Sequence, residues 1–410
     1  MTTELRVLRA AEWDHWYGQL EVAFGAVPEA PQERELWRAL TECERSIGVW
    51  DGGVCVGTAG AFSFRLSVPG GGEPVPVAGV TMVGVVPTHR RRGILTSMMR
   101  RQLDDVFARG EPLAVLTASE PVIYGRFGYG IATRQMRARI DTDRVRLSVP
   151  PGTDDVALRL VAPADASAAC EAVYARLVPR RPGMLARRPG WERLPLLDPP
   201  GTRDGASPLQ CVLAERDGEV VGFALYSTRP EWEPAGPRGT VRLRHMGALD
   251  PAAYAAVWRF LCEIDLTSAV QVQNRPVDDP WQHLVSDVRR CELRVQDGLH
   301  VRLVDLPAAL EARAYQAPVD VVLEVDDAFC PWNTGRWRLS GDPKGAVCSR
   351  TDDAADLALS VRELGAAYLG GVSLASLAGA GLVRELRQGA LAEASLAFGS
   401  AVAPWLPHGF

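Results

Sequence analysis

None of the eight cysteines, at positions 43, 55, 170, 211, 262, 291, 330 and 348, stands in a CxxC pair or at any close spacing. That excludes the common zinc and redox motifs and leaves no disulfide framework, so reduced thiols and no metal are expected. No apolar run approaches the ~18 residues that a membrane span needs, and the first residues, MTTELRVLRAAEWDHWY, contain no signal-peptide core. A cytoplasmic protein without membrane contact is the expectation. The six histidines (15, 89, 245, 283, 300 and 408) are scattered, and the first part of the chain offers no convincing His–carboxylate pair. A strong positive charge is also missing. The formal net charge is −5, which argues against a general nucleic-acid binder and favours a cationic partner. What remains is ordinary globular material: 47% hydrophobic and 23% charged residues in 410, too long for one compact domain.

The most informative stretch is Val83–Gly130, VGVVPTHRRRGILTSMMRRQLDDVFARGEPLAVLTASEPVIYGRFGYG. An apolar strand runs through Pro87 into three arginines and Gly93. Ile94, Leu95, Met98, Met99, Leu103, Val106 and Phe107 then recur at helical spacing, and Leu113–Thr117 reads as a second strand. The first amides of a helix have no partner inside it and lie at the positive end of its dipole, so strand, basic glycine turn and helix together make an anion cradle. Three arginines as a mere solvated face is the competing reading. It is opposed by the cost of placing cations at a helix N-terminus with no anion to offset them. The turn is neither GxxxxGK[ST] nor GxGxxG, which weakens nucleoside-triphosphate and dinucleotide ligands. A pyrophosphate of another kind is expected.

Before this stretch, helices are expected over Trp13–Phe24 and Glu33–Glu44, and strands flank the Asp51-Gly52-Gly53 turn. A partial repeat follows. CVLAERDGEVVGFALY (211–226) parallels SIGVWDGGVCVGTAGAF around Asp51, and a strand near Val241–Leu249 again leads through a proline into a helix, Ala252–Leu261. There the arginines and the glycine turn are replaced by ALDPAAYAAVWRFL, so the second copy is expected to lack a cofactor site. Pro199–Pro208 reads as a loop insertion. Beyond Arg290, strands at Leu299–Val304 and Val319–Val325 alternate with short helical pieces expected at Asp356–Leu364 and Leu374–Ala378.

Arg90-Arg91-Arg92-Gly93-Ile94-Leu95 resembles the [QR]xxGx[GA] turn of the GNAT superfamily of acetyl-CoA-dependent N-acetyltransferases, with Leu95 in place of the usual Gly or Ala. That departure, SEPVIYGRFGYG after the second strand, and a terminal Phe410 resemble the Eis (enhanced intracellular survival) family of aminoglycoside and protein N-acetyltransferases. The resemblance implies a mixed α+β chain: a catalytic GNAT domain (1–150), a degenerate GNAT-like domain (151–290) and a sterol-carrier-like domain (291–410), to which WNTGRW (332–337) is similar. It implies acetyl-CoA as acyl donor and a homohexamer. Carried onto this chain, it assigns Val83, Gly84 and Val85 to the acyl end. Arg91, Arg92, Gly93, Ile94, Leu95 and Thr96 fall to the pyrophosphate, with Ser119 and Glu120 also against the cofactor.

Acetyl transfer to an amine needs a proton for the departing thiolate. Tyr124 is the expected general acid, matching the family tyrosine at that place; a phenol with a pKa of about 10 is protonated at neutral pH. Tyr129 competes from the same motif, and the surrounding glycines (125, 128, 130) would supply sharp turns. For the base the resemblance implies the C-terminal carboxylate of Phe410, acting through a water because an α-carboxyl has a pKa of only about 3.5. WLPHGF is apolar and proline-stiffened, as a buried tail would be. Trp13, Phe24, Trp37, Glu29, Glu33 and Glu35 offer walls for an acceptor cleft suited to a polyamine such as an aminoglycoside. Three readings stay open: an aminoglycoside or lysine acetyltransferase, an acetyltransferase of a polyamine, small metabolite or N-terminus, and a binding protein for an apolar ligand.

Overall fold

A computed structural model describes residues 3–410. The chain divides into two compact units. Unit one holds the stretch up to Thr133, Gly298–Pro404 and Gly409–Phe410; unit two holds Arg134–Asp297 and Trp405–His408.

In the first unit, β1 (Glu4–Val7), β2 (Ile47–Asp51), β3 (Val54–Leu66) and β4 (Val75–Val85) form an antiparallel meander. β4 then crosses through helix α3 (Ile94–Ala108) to a parallel neighbour, β5 (Leu113–Thr117). The sheet continues from β5 to the distant strand Leu299–Leu303 and on to β6 (Gly130–Ile131). Helices α1 (Trp13–Ala23) and α2 (Pro31–Leu40) lie N-terminal to the sheet strands that carry the core. Pro31 at the first position of α2 starts it earlier than its apolar spacing indicates, and the extended Thr41 stops it. α3 buries Ile94, Met98, Met99, Leu103 and Val106 on one face, the helical pattern read above.

The carrier-like part of the same unit has the sheet order 345–350, 335–342, 319–326, 357–360, 383–385. Leu357–Ser360 is a strand, not helix: it pairs in parallel with Leu323–Asp326, and the helix begins only at Val361, capped by the Ser360 hydroxyl. Alternation over four residues is too short to separate the two states by pattern. Part of the interior here is taken up by a cation. Arg313 is fully buried with its guanidinium 4.7, 5.8 and 4.8 Å from the Tyr315, Tyr368 and Phe398 ring centres. It donates to the carbonyls of Tyr368 and Phe398, which end the Val361–Ala367 and Ala390–Ala397 helices. Two negative helix ends thus stand in for the missing carboxylate.

The second unit repeats the first plan. Antiparallel strands Gln210–Arg216, Glu219–Arg229 and Gly239–Ala248 lead through helix Pro251–Cys262 to the parallel strand Thr267–Pro276. Arg134–Asp141 and Arg294–Asp297 complete its sheet beyond that strand. Trp405 donates from its indole to Asn274 (2.7 Å), and Asn274 donates to the Leu406 carbonyl (2.9 Å), so this part of the tail is pinned.

Candidate active site

The site originates in one extra residue. Thr58 pairs with Gly84 and Gly60 with Thr81, so Met82 and Val83 together oppose Ala59 in a β-bulge. Met82 takes φ +53°, and the Thr58 hydroxyl donates to its carbonyl at 2.8 Å. The bulge bends β4 away from β5. Their parallel pairing covers only Val77–Gly79 against Leu113–Val115, after which β5 stays with Leu299–Leu303 while β4 continues on β3 alone. Val83, Gly84 and Val85 therefore present one backbone edge to the gap between the parted strands. Such an edge can hydrogen-bond an extended amide chain, as a further strand would. Gly84 is needed for packing: a methyl carbon there would stand 2.9 Å from the Ala23 side chain of α1.

β4 delivers its chain into the basic turn, where the roles of the cations separate. Arg90 is structural, donating to the carbonyls of Val85 (3.3 Å) and Ala23 (3.2 Å). His89 forms a His–carboxylate pair with Asp51 (3.2 Å) that the sequence does not display, and its other ring nitrogen meets Thr88 (2.8 Å), so both nitrogens are engaged within the turn. Arg91 and Arg92 are exposed and form no ion pair among the described residues. Arg91 (φ +62°) and Gly93 (φ +80°) turn the backbone so that α3 starts with no side-chain cap. The amides of Ile94, Leu95 and Thr96 thus lack intrahelical acceptors, at a terminus carrying about half a positive charge. A methyl carbon on Gly93 would meet nothing within 4 Å, so the space before these amides is open. This arrangement fits a pyrophosphate.

The matching place in the second unit shows the opposite chemistry. Asp250 caps the Pro251–Cys262 helix, accepting from the amides of Ala252 and Ala253 at 3.0 Å each, and Arg216 pairs with the same carboxylate at 2.7 Å. Pro251 removes one further donor. An internal carboxylate holds the position an external anion would take. The Asp-Pro helix start in ALDPAAY carries this signal.

Past β5, Ser119 and Glu120 are exposed, and Glu120 precedes the 3-10 turn Pro121–Phe127 that carries Tyr124. The Tyr124 ring is half-buried, and its hydroxyl has no partner among the described residues yet is not sealed in. Burial, with a smaller contribution from Glu120, raises its pKa above the usual phenol value. Tyr129, edge-on to it at 6.0 Å, is 1% exposed, and burial pushes its phenol still higher. Of the two hydroxyls, only that of Tyr124 is not sealed in. The glycines act differently than expected. Gly128 alone of the three uses positive φ (+85°), whereas Gly125 and Gly130 are small because the Val361–Ala367 helix lies against them. A methyl carbon on Gly130 would overlap the Arg362 carbonyl oxygen and the Ala366 nitrogen.

Phe410 comes to the fork itself. Its ring meets Phe64 of β3 edge-on at 5.1 Å, and a methyl carbon on Gly79 would lie 3.2 Å from it. Gly79 is the last β4 residue paired with β5. The terminal carboxylate forms no ion pair among the described residues. Of the aromatic candidates for an acceptor wall, Trp13 is 2% exposed and belongs to the core with Trp16 and Tyr17, while Phe24 is exposed and Trp37 half-buried. Glu29 is half-buried and accepts from the Tyr17 hydroxyl at 2.5 Å; burial raises its carboxyl pKa.

Comparison with known proteins gives the domain order and the family. Residues 4–132 and 183–303 each match acetyltransferase (GNAT) domain families, and residues 306–407 match a sterol carrier protein domain. An uncharacterized N-acetyltransferase of Streptomyces avermitilis is 71% identical over the full length of both chains. N-acetyltransferase Eis of Mycobacterium tuberculosis is 34% identical over 95% of this chain and 96% of its own. The crystal structure of Eis1 from Mycobacterium abscessus covers all of both chains at 34% identity with a TM-score of 0.84. Among the described residues no helix is long and apolar enough to cross a membrane. Two GNAT domains, the first alone with an open cradle, followed by a sterol-carrier-like domain, make an acetyl-CoA-dependent acetyltransferase, and the chain belongs to the Eis family of GNAT N-acetyltransferases.

Proposed function

We propose that the chain acetylates several amines of aminoglycosides, and lysine side chains of proteins, with Tyr124 as general acid and the Phe410 carboxylate as base through a water. The observation that carries the reading is the parting of β4 and β5 beside an uncapped α3, with the terminal residue at the fork. Acetyl-CoA supplies an activated thioester. Amides of Val83, Gly84 and Val85 orient its pantetheine and polarise the acyl oxygen. Arg91, Arg92 and the amides of Gly93, Ile94, Leu95 and Thr96 hold the pyrophosphate, with Ser119 and Glu120 beyond β5 closing over the cofactor. The Phe410 carboxylate draws a proton from the acceptor ammonium through the water, which frees the nitrogen lone pair. The nitrogen attacks the thioester carbon, the C–S bond breaks as the C–N bond forms, and the Tyr124 hydroxyl gives a proton to the departing sulfur and regains one from solvent. Desolvation, which keeps the phenol protonated, also makes the leaving thiolate more basic than in water, so transfer between them is matched.

A cationic acceptor is supported by the net charge and by Glu29 and Glu33 beside α1 and α2. An apolar-ligand carrier is the weaker reading, because Arg313 and three aromatic rings occupy the interior of the last domain. Thiol release from acetyl-CoA by N-terminally tagged protein, against aminoglycosides, polyamines and lysine peptides, tests this. Release with several aminoglycosides, with more than one acetyl added per molecule, is expected. Release with polyamines alone would keep the chemistry and refute the acceptor.

A further inference from the structure

We infer that Arg302, held by Asp327 and Asn333, is a positioning residue that sets the height of the Tyr124 turn, and that this is what the WNTGRW segment contributes to acetyl transfer. The inference rests on the assignment of Tyr124 as the acid.

Arg302 lies on the Leu299–Leu303 strand with its side chain wholly buried. One guanidinium nitrogen donates to the Leu303 carbonyl (2.6 Å), and another reaches both Asp327 oxygens at 2.8 and 2.7 Å. Asp327 is itself fixed by the Cys330 amide (2.9 Å) and the Asn333 side-chain amide (2.9 Å). Asn333 also donates to the Val304 carbonyl (3.1 Å) and accepts from the Leu306 amide (3.1 Å), while Trp337 donates to its backbone carbonyl (2.8 Å). Among the described residues, every buried side-chain nitrogen and oxygen of this cluster but one has a partner. The exception is Arg302 Nε, a buried donor without a partner.

That nitrogen points at the catalytic turn. A methyl carbon on Gly128 would stand 2.8 Å from it and 2.9 Å from Val361. Gly128 closes the turn: its amide donates to Gly125, and the Tyr129 amide donates to the Tyr124 carbonyl at 3.3 Å. Phe329, two residues beyond Asp327, packs edge-on against Phe127 of the same turn at 5.0 Å. The turn therefore rests on a planar, fully buried guanidinium whose orientation is fixed at three points. A buried ion pair is a poor source of stability compared with apolar packing, but a good one of fixed geometry, here next to a hydroxyl that must meet a sulfur. Lysine in place of Arg302 would keep the charge and lose the planar fork.

The test is a double-substitution cycle in the full chain. Arg302→Lys is measured alone and together with Tyr124→Phe, with kcat, KM for acetyl-CoA and thermal unfolding recorded for each. Since a lysine variant can misfold, the neutral pair Arg302→Gln with Asp327→Asn is carried through the same cycle. The expected result is a fall in kcat of about tenfold with Tyr124 present, little change in KM, and no further fall in the Tyr124→Phe background. An equal fall in both backgrounds would show general damage and overturn the inference, as would unchanged kcat in a folded variant. Full activity of Tyr124→Phe alone would refute the acid assignment itself, and this inference with it.

Discussion

A single residue added after Phe410 is expected to lower kcat by 10²-fold or more while acetyl-CoA affinity stays within about twofold. The magnitude follows from what a positioned general base contributes, about 10²–10⁴. An added residue converts the Phe410 carboxylate into an amide, moves the negative charge one residue further on, and must pass a ring already seated between Phe64 and Gly79. The cradle at Arg91–Thr96 is formed by β4 and α3 and does not include the terminus, which is why binding is expected to survive. Steady-state thiol release and calorimetric binding of acetyl-CoA separate the two effects. Turnover unchanged by the extension would remove Phe410 from the mechanism. Loss of both turnover and affinity would show that the extension has disturbed the fork and not merely the base.

Tyr124→Phe is expected to reduce kcat by about 10²–10³ with KM for acetyl-CoA nearly unchanged, because the substitution deletes one hydroxyl and leaves the half-buried ring. The pH profile adds a second reading. The acid must be protonated to work, and burial holds the Tyr124 pKa above the ordinary value near 10. Tyr124 therefore remains competent throughout the neutral and mildly alkaline range, and any decline in kcat that it causes falls above about pH 10. That alkaline limb should vanish from the residual activity of Tyr124→Phe. Tyr129→Phe is the matched control: its hydroxyl is sealed in the core and has no access to substrate. A large loss from Tyr129→Phe with a folded protein and a mild one from Tyr124→Phe would reverse the assignment.

The sequence carried the local elements of the site well, because each has a short-range cause. The apolar spacing of Ile94–Val106, the glycine with φ +80° at the start of α3 and the strand Leu113–Thr117 are all written within a few residues. The duplicated hairpin is legible for the same reason, and the Asp250-Pro251 pair marks the capped helix start of the second copy. What the sequence does not display is pairing between distant segments. Leu299–Leu303 joins the first sheet, and Arg134–Asp141 the second, by antiparallel ladders whose partners lie over a hundred residues away. The bulge at Met82 has no local signature, since a methionine with φ +53° is set by the register of β3 and not by its own preference. Gly125 and Gly130 look like turn residues in the sequence, because close approach by the distant Val361–Ala367 helix cannot be seen from composition.

The most direct measurement is calorimetric titration of acetyl-CoA into the intact chain and into Gly93→Val. The open start of α3 and the capped start of the Pro251–Cys262 helix predict one site per chain, lost or weakened at least about tenfold when a branched side chain is forced to φ +80° before the α3 amides. Two sites per chain, or undiminished affinity in Gly93→Val, would contradict the placement of acetyl-CoA at the β4–α3 turn.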